Sequence, residues 1–428
     1  MKHFILFISF LLVSSMYFAQ AQEIVINYDE SKVPNFTPPD LLTLNNGKKV
    51  TSAKQWENQR RPELLEIFSS QMYGRTPKDK IKVTYETLSV NPDFMNGKAT
   101  CKQVKFIFTN GVKKHEAILM LVLPNWTSAK VPVFVAYNFQ GNHTTTDNYS
   151  IALPAFYSLP LANEGSRQRN PERERGSQSD RWSYDKIIER GYGVATMFYQ
   201  DIYPDRPGME EYSVVSLFPG YNSGTKAPDQ WQAIGAWAWG TSRIVDYLET
   251  EKQVDPKKII TMGHSRHGKA ALWAGAQDKR FRIVISNNSG SGGAAMSKRV
   301  FGENIARITT SFPHWFCPAF SQYAHNEAKL PFDQHELIAL IAPRYVYIAS
   351  AVEDRWADPK GEFLSGYYAG PAYELFGLKG LGANEHPPLH RPIFNAVGYH
   401  IRTGVHDVTE YDWNCFMDFA DTHFGKPK

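Results

Sequence analysis

One seven-residue segment, Gly263-His264-Ser265-Arg266-His267-Gly268-Lys269, limits what this chain can fold into. The β-branched run Lys258-Ile259-Ile260-Thr261-Met262 before it reads as a short buried strand. The run Ala270–Ala276 after it is small and apolar and reads as a buried helix. A strand feeding a helix through so few residues must turn a sharp corner. A serine at that corner has its hydroxyl lifted clear of the backbone. The free N–H groups and positive dipole end of the following helix then face it.

A serine on a strand-to-helix turn is the nucleophile elbow of α/β-hydrolases. The usual pattern is G-x-S-x-G; here His267 holds the place of the second glycine, which comes one position later. Arg266 and Lys269 fall in the first helical turn, where the dipole disfavours cations by a few tenths to ~1 kcal/mol. Either they are solvated surface charges, or they face a developing oxyanion or an acidic product.

The rest of the chain supplies strands alternating with helices, which implies a mostly parallel sheet. Ile81–Leu88, Ala99–Thr109 and His115–Leu123 alternate apolar and polar residues, with the turn pairs Asn96-Gly97 and Asn110-Gly111 between them, and predict an antiparallel meander. Val131–Tyr137, Gly191–Phe198, Ile283–Ser286 and Tyr345–Ala351 read as further strands. Trp56–Phe68, Trp231–Leu248 and Tyr411–Phe424 show helical spacing. The loop Asn138–Asn142 follows an early strand, where this fold places a second oxyanion N–H; Gly141 either lets that backbone approach a substrate closely or belongs to an ordinary strand-ending turn. The expected fold is α/β: an α/β-hydrolase with a mostly parallel central sheet in a three-layer α/β/α sandwich and an N-terminal antiparallel extension. Gln22–Lys49 is expected to run extended over the surface. Glu164–Arg181, with five arginines, is expected to form a surface loop near the mouth of the sheet. No interior linker or repeat divides residues 22–428, so they read as one catalytic domain.

Met1–Ala21 has the form of a secretory signal: Lys2, then the apolar stretch Phe4–Phe18, then the small-x-small site Ala19-Gln20-Ala21. It is too short for a membrane span. The expected location is secreted or periplasmic, with the mature chain starting at Gln22. Three cysteines in 428 residues describe no disulfide framework and allow at most one bridge. The net charge of +4, with no basic block interleaved with aromatics, speaks against nucleic-acid partners. An aromatic content of 14% suits surfaces that meet sugar or lignin-like rings, although cores use aromatics too.

An acyl-transfer triad needs a nucleophile, a base and an acid that orients the base. On this fold they follow in the order serine, acid, histidine. Ser265, Asp354 and His406 satisfy that order, each in a loop position where ligands bind at the carboxyl edge of such sheets. Glu353 and Asp358 are alternative acids, and His400 is an alternative base. A metal hydrolase built on His264, His335 and His400 fits no common ligand spacing. The glycine run Asn287–Gly293 does not match a phosphate-binding loop.

Gly263–Lys269 resembles the G-x-S-R-x-G-K motif of glucuronoyl esterases, carbohydrate esterase family 15. Arg190-Gly191-Tyr192-Gly193, Ala236-Trp237-Ala238-Trp239-Gly240, Phe312-Pro313-His314-Trp315-Phe316, Asp333-Gln334-His335, Trp356-Ala357-Asp358-Pro359 and Asp412-Trp413 are similar to bacterial members as well. The resemblance runs from about Trp56 to Phe424. It implies cleavage of esters between (4-O-methyl-)glucuronic acid of glucuronoxylan and lignin alcohols. By resemblance Ser265 is the nucleophile, His406 the base, and Arg266 an oxyanion stabiliser through its N–H and guanidinium. Lys269 and Glu303 would bond sugar hydroxyls, and Trp356 would line the sugar site. Many members carry a glutamate as triad acid where this chain has Asn288. Some bacterial members place the acid after a later strand, which Asp354 matches. The resemblance calls for no metal or organic cofactor, and a monomer acting on a lignin–carbohydrate ester is expected. A generic exported carboxylesterase, such as an acetyl xylan esterase, and an inactive carbohydrate-binding homologue remain the alternatives.

Overall fold

The structure is a computed structural model that describes residues 23–159, 171–219 and 226–427. The signal-like segment Met1–Ala21, and Arg167 and Arg169 of the polar insertion, lie outside the described residues. One sheet of ten strands organises the rest. Its members are β1 (Lys82–Phe94), β2 (Ala99–Thr109), β3 (Lys114–Pro124), β4 (Val131–Asn138), β5 (Gly193–Phe198), β6 (Val254–His264), β7 (Phe281–Asn287), β8 (Tyr345–Ala351), β9 (Ile393–Phe394) and β10 (Val397–Arg402). Their order across the sheet is β1-β2-β3-β5-β4-β6-β7-β8-β10-β9. From β5 to β10 all neighbours are parallel. The first three strands and β5 pair antiparallel, forming the expected meander at one edge. Short β9 caps the other edge antiparallel to β10.

Period-two alternation in the buried strands builds the three layers. In β4, Val133 and Val135 join the core beneath helices α1 (Ala233–Leu248) and α2 (Arg266–Gln277). Phe134 and Ala136 join the opposite core, with Trp413, Phe416 and Phe419 of the last helix. Helix α3 (Pro359–Tyr368) follows β8, and helix α4 (Glu410–Phe424) closes the chain. This is the α/β-hydrolase architecture. The loops at the carboxyl ends of β6, β7, β8 and β10 carry the candidate residues.

Strand β10 buries His400 and Arg402, both on charged or hydroxyl partners. Cys101, Cys317 and Cys415 are all free and buried, within the limit of at most one bridge that their count sets. Burial pushes the Cys101 thiol up to about 12, which suppresses its thiolate. Among the described residues, no helix is long and apolar enough to cross a membrane.

Candidate active site

Strand β6 ends at His264 and helix α2 starts at Arg266, leaving Ser265 alone at the corner with φ +57° and ψ −127°. Backbone held there costs on the order of 1–3 kcal/mol. Burying Leu272 and Trp273 completely, at ~1.5–3 kcal/mol each, is enough to offset it. The glycines make the corner passable. A Cβ on Gly263 would sit 2.0 Å from the carbonyl oxygen of His267, and one on Gly268 would sit 2.8 Å from Ser289 Cβ. His267, in the place usually given to glycine, stacks on Phe139 with ring centroids 4.0 Å apart. Burial, with the nearby Arg266 charge, pushes its imidazole down to about 3, so it packs as a neutral ring.

Strand β8 delivers Asp354, and β10 delivers the loop bearing His406. His406 Nδ1 lies 2.6 Å from Asp354 Oδ2. The aspartate side chain is 3% exposed and the imidazole 39%, an enclosed acid behind an accessible ring. The same oxygen, Oδ2, accepts a bond from Asn288 Nδ2 at 2.9 Å. His406 also packs on His264, the residue before Ser265, with centroids 4.5 Å apart. Among the described residues no hydrogen bond joins the Ser265 hydroxyl to His406, and such bonds commonly tighten only when substrate is seated.

The other candidates are occupied elsewhere. Glu353 Oε1 accepts the Gly404 N–H at 3.2 Å and so ties down the start of the His406 loop. Asp358 pairs with Arg299 at 2.8 Å and caps α3 through the Gly361 N–H. His400 is fully buried between Tyr347 and Asp412. His335 Nε2 lies 2.9 Å from the Pro39 carbonyl, so His264, His335 and His400 are not brought together. In the loop after β4, the Gly141 N–H is donated to Asn138 Oδ1 at 2.7 Å.

Neither basic residue of the first turn is a solvated charge. Lys269 is buried, and its Nζ donates to the Ser289 carbonyl at 2.5 Å. Glu303 lies 3.9 Å from the same ammonium. Burial pushes Lys269 down and Glu303 up, while each counters the other's shift. The Trp356 carbonyl accepts the Glu303 N–H at 2.9 Å, and the Trp356 side of this group is open to solvent. The Arg266 guanidinium bonds Asp205 and lies over the Trp315 ring, 4.7 Å from its centroid. Burial opposes the Asp205 charge. The His314 hydrogen bond and Arg266 overcome that effect and hold the carboxyl well below its usual range.

Four residues escaped functional reading from sequence: Asp205, Asn288 as a partner of Asp354, Arg402 and Glu362. Arg402 donates to the carbonyls of Thr403, Val405 and Asp407, the loop around His406, and pairs with Asp412 at 2.8 Å. Arg181, at the end of the polar insertion, reaches Asp407 at 2.7 Å. Glu362 is buried under the loop after β7, accepting from Gly290 N–H at 3.0 Å, with Ser350 Oγ at 2.6 Å. Burial pushes its carboxyl up to about 8, against those hydrogen bonds. The signals were thin: Asp205 is one of two aspartates after β5, and Glu362 is an acid inside an apolar helix.

The family model described as "Glucuronyl esterase, fungi" matches residues 218–377. A carbohydrate esterase, MZ0003, from an unknown prokaryotic organism is 44% identical over 410 residues, 94% of this chain and 93% of its own length. A glucuronoyl esterase structure from Solibacter usitatus superposes with a TM-score of 0.86 at 44% identity, covering 92% of this chain and 100% of that one. A structure described as a promiscuous CE15 esterase from a marine bacterial metagenome gives 0.85 at 43% identity, covering 94% and 100%.

Proposed function

The chain belongs to the glucuronoyl esterases, carbohydrate esterase family 15, and is a carboxylic ester hydrolase; on that premise we propose that it is a serine esterase using Ser265, His406 and Asp354. It cleaves esters between (4-O-methyl-)glucuronic acid of glucuronoxylan and lignin alcohols. The contact that carries this reading is the 2.6 Å approach of a buried Asp354 to an accessible His406, beside a serine on a strained corner.

In this reading His406 takes the Ser265 proton as Oγ attacks the uronate carbonyl. Asp354 offsets the imidazolium charge. The Arg266 N–H, at the start of α2, and its guanidinium hold the tetrahedral oxyanion; one such donor is worth ~2.7–4 kcal/mol of barrier. His406 then protonates the leaving alcohol, and water hydrolyses the glucuronoyl-enzyme by the reverse route. Lys269, Glu303 and Trp356 meet the sugar. We read residues 22–428 as one catalytic domain, exported after cleavage near Ala21 and active as a monomer without a cofactor.

A panel of benzyl glucuronate, benzyl galacturonate and aryl acetates tests the substrate. The expected order of kcat/KM is glucuronate first, with Lys269→Met raising KM for glucuronate esters and leaving aryl acetates unchanged. A preference for aryl acetates would favour the second reading, a broad carboxylesterase, for which the relative described as promiscuous is the motivating observation.

A further inference from the structure

Asp205 lies in the turn after β5, buried, and both its oxygens are filled. Oδ2 takes the Arg266 guanidinium and the Tyr199 hydroxyl, the latter at 2.9 Å. Oδ1 takes His314 Nε2 at 2.8 Å and Trp315 Nε1 at 2.7 Å. Four donors saturate a carboxylate. Trp315 acts twice, donating its N–H to Asp205 while its ring lies against the cation that Asp205 holds. Phe312 stacks on Trp315 at 3.8 Å and also flanks the guanidinium, 5.4 Å from its ring centroid. The cation is therefore held in one direction by a carboxylate and by aromatic faces.

We infer that Asp205 is a positioning residue for Arg266, fixing its guanidinium toward the reacting carbonyl and tempering its charge. The inference rests on the proposed role of Arg266 at the oxyanion. Preorganised charge accelerates a reaction because it does not reorient as the transition state forms. An unanchored arginine loses that advantage. Charge balance adds a second consequence. The ester is neutral at its carbonyl, the oxyanion is transient, and the released uronate is permanently anionic. A bare guanidinium in a poorly solvated site would hold that product. Paired with Asp205 it presents a dipole, whose field acts at contact range on the oxyanion and fades for a carboxylate moving away.

A double-mutant cycle with Asp205→Asn and Arg266→Ala, read on benzyl glucuronate with glucuronate as product inhibitor, tests this. Asp205→Asn is expected to lower kcat by about tenfold or more, within the ~10²–10³ that losing an oxyanion donor costs. KM should change by less than about threefold, and the inhibition constant for glucuronate should fall. The double variant should be no slower than Arg266→Ala. Multiplying losses, or an unchanged inhibition constant, would overturn the inference while leaving the esterase reading intact. A wild-type protein inactive on glucuronate esters, or Arg266→Ala at wild-type rate, would overturn the underlying reading instead. If Asp205→Asn does not fold, Trp315→Phe keeps an aromatic face of smaller size, removes one donor to Asp205, and goes through the same cycle. It should slow the wild-type background severalfold and leave the Arg266→Ala background unchanged.

Discussion

Asn288 donates its side-chain amide to Asp354 Oδ2 at 2.9 Å, the same oxygen that His406 approaches. The asparagine stands where many relatives, by resemblance, carry an acid. It holds φ +48°, a conformation that asparagine tolerates better than most side chains. Its amide thus lies beside the carboxylate that we propose as the triad acid.

A hydrogen bond to a charged group is worth ~1.5–3 kcal/mol. Asn288→Ala should therefore lower kcat by about tenfold, measured on methyl glucuronate. Placing an acid there, Asn288→Glu, should recover at least about tenfold of the rate lost in Asp354→Asn. An absence of recovery would mean that a carboxylate at this position does not reach His406.

Asp354→Asn should lower kcat by ~10⁴, the scale of losing a triad acid. Glu353→Gln, which perturbs one bond to the Gly404 N–H, should stay within about tenfold of wild type. Steady-state kinetics of the two variants rank them, and the reverse ranking would move the acid to Glu353.

Arg402 braces the His406 loop through three carbonyls. A lysine keeps the charge that Asp412 needs but lacks the planar fork. Arg402→Lys should fold with a modestly lower Tm and lose kcat more than KM. Arg402→Ala breaks the buried pair and leaves Asp412 with only His400 and Thr409, at a cost of up to ~3–5 kcal/mol, and should show a far larger drop in Tm. Equal melting temperatures for the two variants would contradict this division of labour.

Glu362 has an ordinary value of 4.5, and burial raises it to about 8 in the folded protein. A raised folded pKa means that its contribution to stability is full below about pH 4.5 and is lost as pH rises toward 8. Glu362→Gln, which mimics the protonated acid, should therefore gain stability relative to wild type between pH 5 and pH 8. Urea denaturation of both proteins at the two pH values measures it. A difference that does not change with pH would contradict the assignment.

The elbow and the meander were legible because each rests on local pattern: β-branched runs, Asn-Gly turns, and glycines where Cβ atoms would collide. Strand β10 was not legible. Its residues His400 and Arg402 look like loop residues until their partners are in place, Tyr347 from the neighbouring strand β8 and Asp412 from the start of the last helix. Sequence favoured Asp354 through chain order and resemblance, and left Glu353 and Asp358 open. Three acids within six positions leave one strand end, and only the loop geometry sends one toward His406. The Asp205 cluster joins residues separated by about a hundred positions, and no period or spacing announces it.

The central claim is that Ser265 is the nucleophile, and the rate of benzyl glucuronate hydrolysis by Ser265→Ala tests it most directly. Removing the hydroxyl leaves the corner, the oxyanion N–H groups and the sugar contacts in place. The account predicts kcat lower by ~10⁵–10⁶, with an unchanged Tm. Turnover within tenfold of wild type would contradict it.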